Sequence, residues 1–250
     1  MKLFKQFMKE QSDTMATVAT TPMIDVDGVQ KHRHNSEGKP IHHTDEGIKN
    51  FHKWFGDSKA VDEHGRPQVH YHGTGTDIHR FNEVPVWLSK KPPLASEYAN
   101  HRGAWDHEAS PNVMPLYAKT HKTFDADKLP NTVTVNKFYS ELHSQANKPE
   151  NTELLNKHRI DTVNAARNEE SGPHYSKKDF WHHTDSLFGK SGKRSINAAI
   201  HASGFDSIKH NEEGHETIGL MSSHQVKSAI GNNGEFKLHT NKITESSIYD

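Results

Sequence analysis

Hydrophobic positions in this chain come in short clusters separated by long polar stretches, and the period inside each cluster predicts an element. Residues 1–12 place Leu3, Phe4, Phe7 and Met8 at helical spacing, which reads as a small amphipathic helix. Lysines interrupt its apolar run too soon for a secretory leader. Residues 13–44 show no sustained period and read as a linker or extended arm. From Thr44 a helix is expected to Phe55: Thr44 caps it, Asp45 and Glu46 fill the first turn, and Ile48, Phe51, His52 and Phe55 share a face. Gly56 ends it.

The next legible stretch, Gln68-Val-His-Tyr-His-Gly-Thr-Gly-Thr76, reads as a buried strand over 68–72 that stops at a glycine turn. A second strand is expected over 84–89, then a helix over 92–102 with proline in its first turn. Val113–Thr120 reads as a further strand, with Pro115 arguing for an edge position or an irregular start. Residues 121–193 are less regular, with helices expected over 135–145 and 152–169 and breaks at Ser171-Gly-Pro and Gly189–Arg194. Gly189–Ser191 lacks the spacing of a phosphate loop. A helix over 194–203 then leads through Gly204 to strand 205–210, a hairpin turn at 211–214 and strand 215–221. A short helix over 223–229 and a polar tail are expected to finish the chain.

Composition narrows this picture. Only 31% of the 250 residues are hydrophobic, and mean hydropathy is −0.94. That allows one domain with a modest core, polar tails and a long polar insertion. A net charge of −1 provides no global field to attract nucleic acid, so such a target would need a local basic patch. There is no cysteine, which excludes disulfides and thiolate metal sites. Nothing approaches the roughly 18-residue apolar run that spans a bilayer. The 22 histidines are scattered and form no His-Glu-x-x-His pattern, so they read as surface residues that charge near pH 6.5, with no dedicated metal site.

Candidate chemistry sits on three separate elements. Where a strand stops at glycines, backbone can approach a ligand closely, which draws attention to His72, Gly73 and Thr74. His70 competes with His72, since alternation puts both on one strand face. Tyr98 falls on the 92–102 helix, Trp87 and Ser89 on the strand before it, and Glu216 at the start of an apolar strand. Trp87 reads equally as an ordinary core aromatic, and Glu216 as a solvent-facing carboxylate.

A His, a Tyr and a Glu in this order and in these contexts resemble the ADP-ribosyltransferase superfamily, in the His-Tyr-Glu branch shared by poly(ADP-ribose) polymerases and diphtheria-type toxins. More narrowly, Trp54-Phe-Gly-Asp-Ser58, Val69–Gly73, Leu116-Tyr117, Gly204-Phe-Asp-Ser-Ile208 and Gln225–Asn232 are similar to the ADP-ribosyltransferase-like domains of phage and mobile-element polyvalent proteins. The resemblance spans about 45–237 and is weak over about 125–195.

The resemblance implies an α+β, split β-sandwich fold, two small sheets around an NAD cleft with flanking helices, and NAD as substrate. It implies Glu216 as the catalytic carboxylate, with His72, Gly73 and Tyr98 binding NAD. Trp87 would be a second wall of the nicotinamide slot, Thr74 an added hydroxyl, and Ser89 the counterpart of a strand serine in arginine-modifying relatives. The chain departs from those relatives: His72 replaces their arginine, and Gly214 stands two before the glutamate. Arginine as acceptor is therefore not implied.

The expected organisation is an amphipathic helix and polar arm over 1–44, a catalytic domain over 45–237 with its polar helical insertion at about 125–195, and a polar tail over 238–250. The expected activity is transfer of one ADP-ribose to a macromolecule, a protein foremost, with RNA or DNA as alternatives and no membrane partner. Phage origin would place it in the host cytoplasm, with the N-terminal helix as a capsid address for packaging in the virion. The alternatives are an inactive transferase fold serving as a binding or virion-structural module, a plain NAD glycohydrolase, and a His-rich metal-binding protein that would take up zinc or nickel stoichiometrically.

Overall fold

The computed structural model describes residues 22–103, 111–146, 153, 157, 175–176 and 194–245. The expected helix at 1–12 and most of that at 152–169 lie outside them, although residues 153 and 157 are helical. The described residues fall into two compact units. One holds the chain up to Phe81, Ala95–Lys119 and the residues from His224 on; the other holds Asn82–Leu94 and Thr120–Ser223.

The first unit opens with a hairpin where the sequence suggested an arm. Strands β1 (Met23–Val26) and β2 (Val29–His32) pair antiparallel from Met23↔His32 to Val26↔Val29. The turn between them uses Asp27 and Gly28, both at positive φ, which is the chemistry of a two-residue hairpin. Ile24 and Val26 face inward and are buried. Two inward positions are too few to stand out as a period, and the Asp-Gly signal was there to be used.

Helix α1 (Asp45–Phe55) forms as expected. The Thr44 hydroxyl accepts from the Gly47 amide, and Gly56 closes the helix by donating to the His52 carbonyl at 2.8 Å. Arg33 grips the first turn through both guanidinium nitrogens on Asp45, at 2.6 and 3.1 Å. This holds the Asp45 carboxyl below its usual range. The apolar face of α1 builds an aromatic core: Phe51 lies 4.7 Å from Tyr117 and 5.3 Å from Phe236, ring centre to ring centre.

On this core sits a three-stranded antiparallel ladder of β3 (Val69–Thr74), β5 (Asn112–Ala118) and β11 (Val226–Ser228), in the order β11-β5-β3. Pro115 therefore does not mark an edge strand. It tolerates the central position because β11 stops pairing at Ser228, and beyond that the Ala229 amide donates to the Pro115 carbonyl without needing a proline N–H in return. The helix expected over 223–229 is instead a single 3-10 turn (Ser223–Gln225) followed by β11, whose three residues are all buried. Beyond residue 237 the expected polar tail contributes a fully buried Ile243.

The second unit carries β4 (Val86–Ser89), β6 (Thr123–Asp125), β9 (Ser207–Glu212) and β10 (His215–Leu220), in the order β4-β10-β9-β6, with β6 parallel to β9. A short pair, β7 (Thr132–Val133) with β8 (Tyr175–Ser176), lies apart. Helix α2 (Pro92–Gly103) runs from this unit into the first. Helix α3 (Val135–Ala146) and a helix α4 over 194–202 bury Phe138, Leu142, Ile196 and Ile200 with Phe124 and Ile208. The start of the expected polar insertion is thus core. After α4, Gly204 adopts positive φ and the Phe205 amide reaches back to the Ile200 carbonyl, ending the helix. The class is α+β, as the sequence suggested.

Candidate active site

In the first unit the candidate residues cluster at the end of β3. His72 is half-buried, opposite Met114 of β5, with its ring edge-on to Phe81 at 4.9 Å. Its competitor His70 is buried at 6% exposure, and its Nδ1 lies 3.2 Å from the Gln68 carbonyl. His72 is therefore the more accessible imidazole of the two.

Gly73 has a steric reason to lack a side chain. A Cβ there would lie 1.8 Å from the Ala95 carbonyl oxygen and 2.9 Å from the Ala99 nitrogen, both backbone atoms of α2. The glycine lets α2 lie directly against the strand, and α2 carries Tyr98. One turn of helix separates Ala95 from Tyr98, so the contact at Gly73 fixes where that ring is presented. Tyr98 keeps 41% of its surface exposed, while Ala95 and Ala99 beside it are buried. The Thr74 hydroxyl is committed locally: it donates to the Thr76 carbonyl at 3.0 Å and accepts from the Thr76 amide.

In the second unit, Glu216 is the second residue of β10, two residues past a tight turn whose Glu213 and Gly214 both have positive φ. Its side chain is about half exposed, and Oε1 lies 3.5 Å from the Lys90 ammonium. The Lys90 amide also donates to the Glu216 carbonyl at 3.0 Å. Lys90 is thus the neighbour that sequence reasoning missed; only the β4–β10 register, with Thr217 opposite Ser89, reveals it.

The same register separates two other candidates from Glu216. Residues directly opposite in an antiparallel pair share a face, and successive residues alternate. Trp87 is opposite Gly219 and Ser89 opposite Thr217, so both belong to the face opposite that of Glu216. Trp87 packs against the second unit's core and lies edge-on to His210 at 6.5 Å. The Ser89 hydroxyl is buried and closes a turn with the carbonyl and amide of Lys91. Glu212, on that same face opposite His215, is buried at 9% exposure.

The remaining motif residues act as joints. Asp206 accepts the backbone amides of His121 and Lys122 and the His121 ring, tying the entrance of β6 to β9. Trp54 donates from its indole to the His224 carbonyl at 3.3 Å. The Gln225 side chain donates to the Lys119 carbonyl at 2.8 Å, and the Lys119 amide returns a bond to Gln225. Among the described residues no group of three or more His, Asp or Glu could hold a metal ion.

A protein-family model described as ADP-ribosyltransferase in polyvalent proteins matches residues 62–236. No curated protein and no solved structure matches the chain. The matched span contains every candidate residue from His72 to Glu216.

Proposed function

The chain belongs to the ADP-ribosyltransferases of polyvalent proteins, and on that premise we propose that it cleaves NAD and transfers one ADP-ribose to a macromolecular acceptor, foremost a protein. The observation that carries the reading is Glu216, an accessible carboxylate at the head of β10 in the span the family model matches.

The chemistry asks little else of the protein. When the bond between nicotinamide and ribose breaks, the electron pair leaves with nicotinamide as a neutral ring, and the ribose carbon acquires oxocarbenium character. A carboxylate beside the sugar stabilises that charge more strongly in the transition state than in the ground state. An acceptor nucleophile then bonds to the ribose carbon and gives up its proton. In this reading Glu216 is that carboxylate. His72 holds a ribose hydroxyl through its imidazole, the Gly73 backbone meets the carboxamide, and Tyr98 stacks on the nicotinamide ring. Thr74 and Ser89 serve the turns that their hydroxyls close.

The test is incubation of wild type and Glu216→Gln with labelled NAD and a cell lysate, resolving label on protein, on nucleic acid and as free ADP-ribose. Label on protein that requires Glu216 is the expected result. Label that stays entirely as free ADP-ribose would make the protein a glycohydrolase. Cleavage undiminished in Glu216→Gln would remove that residue from catalysis.

A further inference from the structure

Past the family-matched span the chain turns back and forms a strap. Lys227 on β11 is fully buried; its ammonium donates to the carbonyls of Thr240 and Lys242 at 3.2 and 3.1 Å and to the Glu245 carboxylate. Between these anchors, the carbonyl of the buried Ile243 accepts from the Ser228 amide at 2.9 Å. The Ile243 amide in turn donates to the His79 carbonyl, also at 2.9 Å, and Lys242 bridges antiparallel to Arg80. Residues 240–245 therefore lie against the loop that leaves β3 after Thr74 and ends at Phe81. Phe81 is the ring that packs edge-on to His72.

We infer that Lys227 is a positioning residue for the His72 end of the site: through the strap it fixes the 75–81 loop, the loop fixes Phe81, and Phe81 orients the imidazole. A buried ammonium needs all of its partners, because losing one leaves an uncompensated charge out of water. The strap is therefore held as a unit by Lys227 and Glu245, and its bonds to His79 and Arg80 carry that hold to the loop. The part of this inference that concerns NAD rests on the proposed function; the coupling between strap and loop does not.

The test compares wild type with full-length Lys227→Met/Glu245→Gln, which removes both charges so that neither is left buried alone. In the double variant, amide exchange at 79–81 and at 242–243 should accelerate together by about tenfold, while the Phe51 and Tyr117 amides keep their protection. The Kd for NAD should rise by about tenfold, with cleavage at saturating NAD changed by less than about twofold. Acceleration at 242–243 with none at 79–81 would overturn the coupling, and so would equal acceleration throughout the first unit. Should the double variant not fold, Ile243→Ala in the full chain reads the same pattern. Failure of wild type to bind NAD would overturn the functional reading, and the exchange pattern would still decide the strap.

Discussion

Lys90 and Glu216 are joined twice: the Lys90 amide donates to the Glu216 carbonyl at 3.0 Å, and their side chains form an ion pair at 3.5 Å. The backbone bond belongs to the sheet and survives any substitution of the lysine. The ion pair is exposed on both sides, and pairs of that kind contribute about 0–1 kcal/mol. Lys90→Ala should therefore lower Tm by no more than about 4 °C. Glu216→Gln should be equally mild in a thermal melt, yet lower NAD cleavage by about 100- to 1000-fold if its carboxylate stabilises the transition state.

Gly73→Ala tests the contact between β3 and α2. The added methyl would meet the Ala95 carbonyl at 1.8 Å, and backbone cannot rotate aside as a flexible side chain would. Forcing the helix away should cost about 1–3 kcal/mol in denaturant unfolding. Because α2 carries Tyr98, NAD affinity measured by titration should weaken as well.

Tyr98→Ala and Trp87→Ala should separate binding from packing. Trp87 lies against the second unit's core, so its removal should lower stability toward the low end of the roughly 3–5 kcal/mol seen for large aromatics. Tyr98 is 41% exposed, so its removal should leave the melt almost unchanged and raise the Kd for NAD. Calorimetric melts and NAD titrations on both variants check the split.

Acid should destabilise the first unit through His52. Burial pushes this imidazole from 6.5 down to about 4, against the bond its Nε2 donates to the His32 carbonyl at 2.7 Å. The unfolded chain therefore binds the proton more readily than the folded one between those two values. Stability is full above pH 6.5, falls as pH drops toward 4, and loses on the order of 3 kcal/mol in that window. His42, held low by burial, adds in the same direction. Urea midpoints from pH 7.5 to 4 should show the decline, and His52→Gln, which keeps a donor for the His32 carbonyl, should flatten it.

Local chemistry made α1 legible in full. Its cap, acidic first turn, buried face and terminal glycine all act within a few residues, so the amino-acid order specifies them without knowledge of the rest. The β9–β10 hairpin was legible in the same local way, although its turn is confined to Glu213-Gly214 and β9 runs on to Glu212. His72, Tyr98 and Glu216 were singled out by order and local context, and their roles belong to the proposed function. The β1–β2 hairpin was also written locally, in Asp27-Gly28, but its short inward pattern hid it.

What the sequence left open concerns partners distant along the chain. Lys90 meets Glu216 across 126 positions, and no period in either segment announces the pairing. Strand register put Trp87 and Ser89 on the face opposite Glu216, a one-residue choice that hydrophobic content around either residue does not specify. Pro115 could take a central strand because β11 stops beside it, and Val226–Ser228 became a strand because β5 offered an edge. The amino-acid order by itself determined which residues are chemically able to act and which short segments fold on their own terms. Tertiary structure alone decided which of those residues share a face, because that depends on hydrogen bonds between segments whose sequences carry no record of each other.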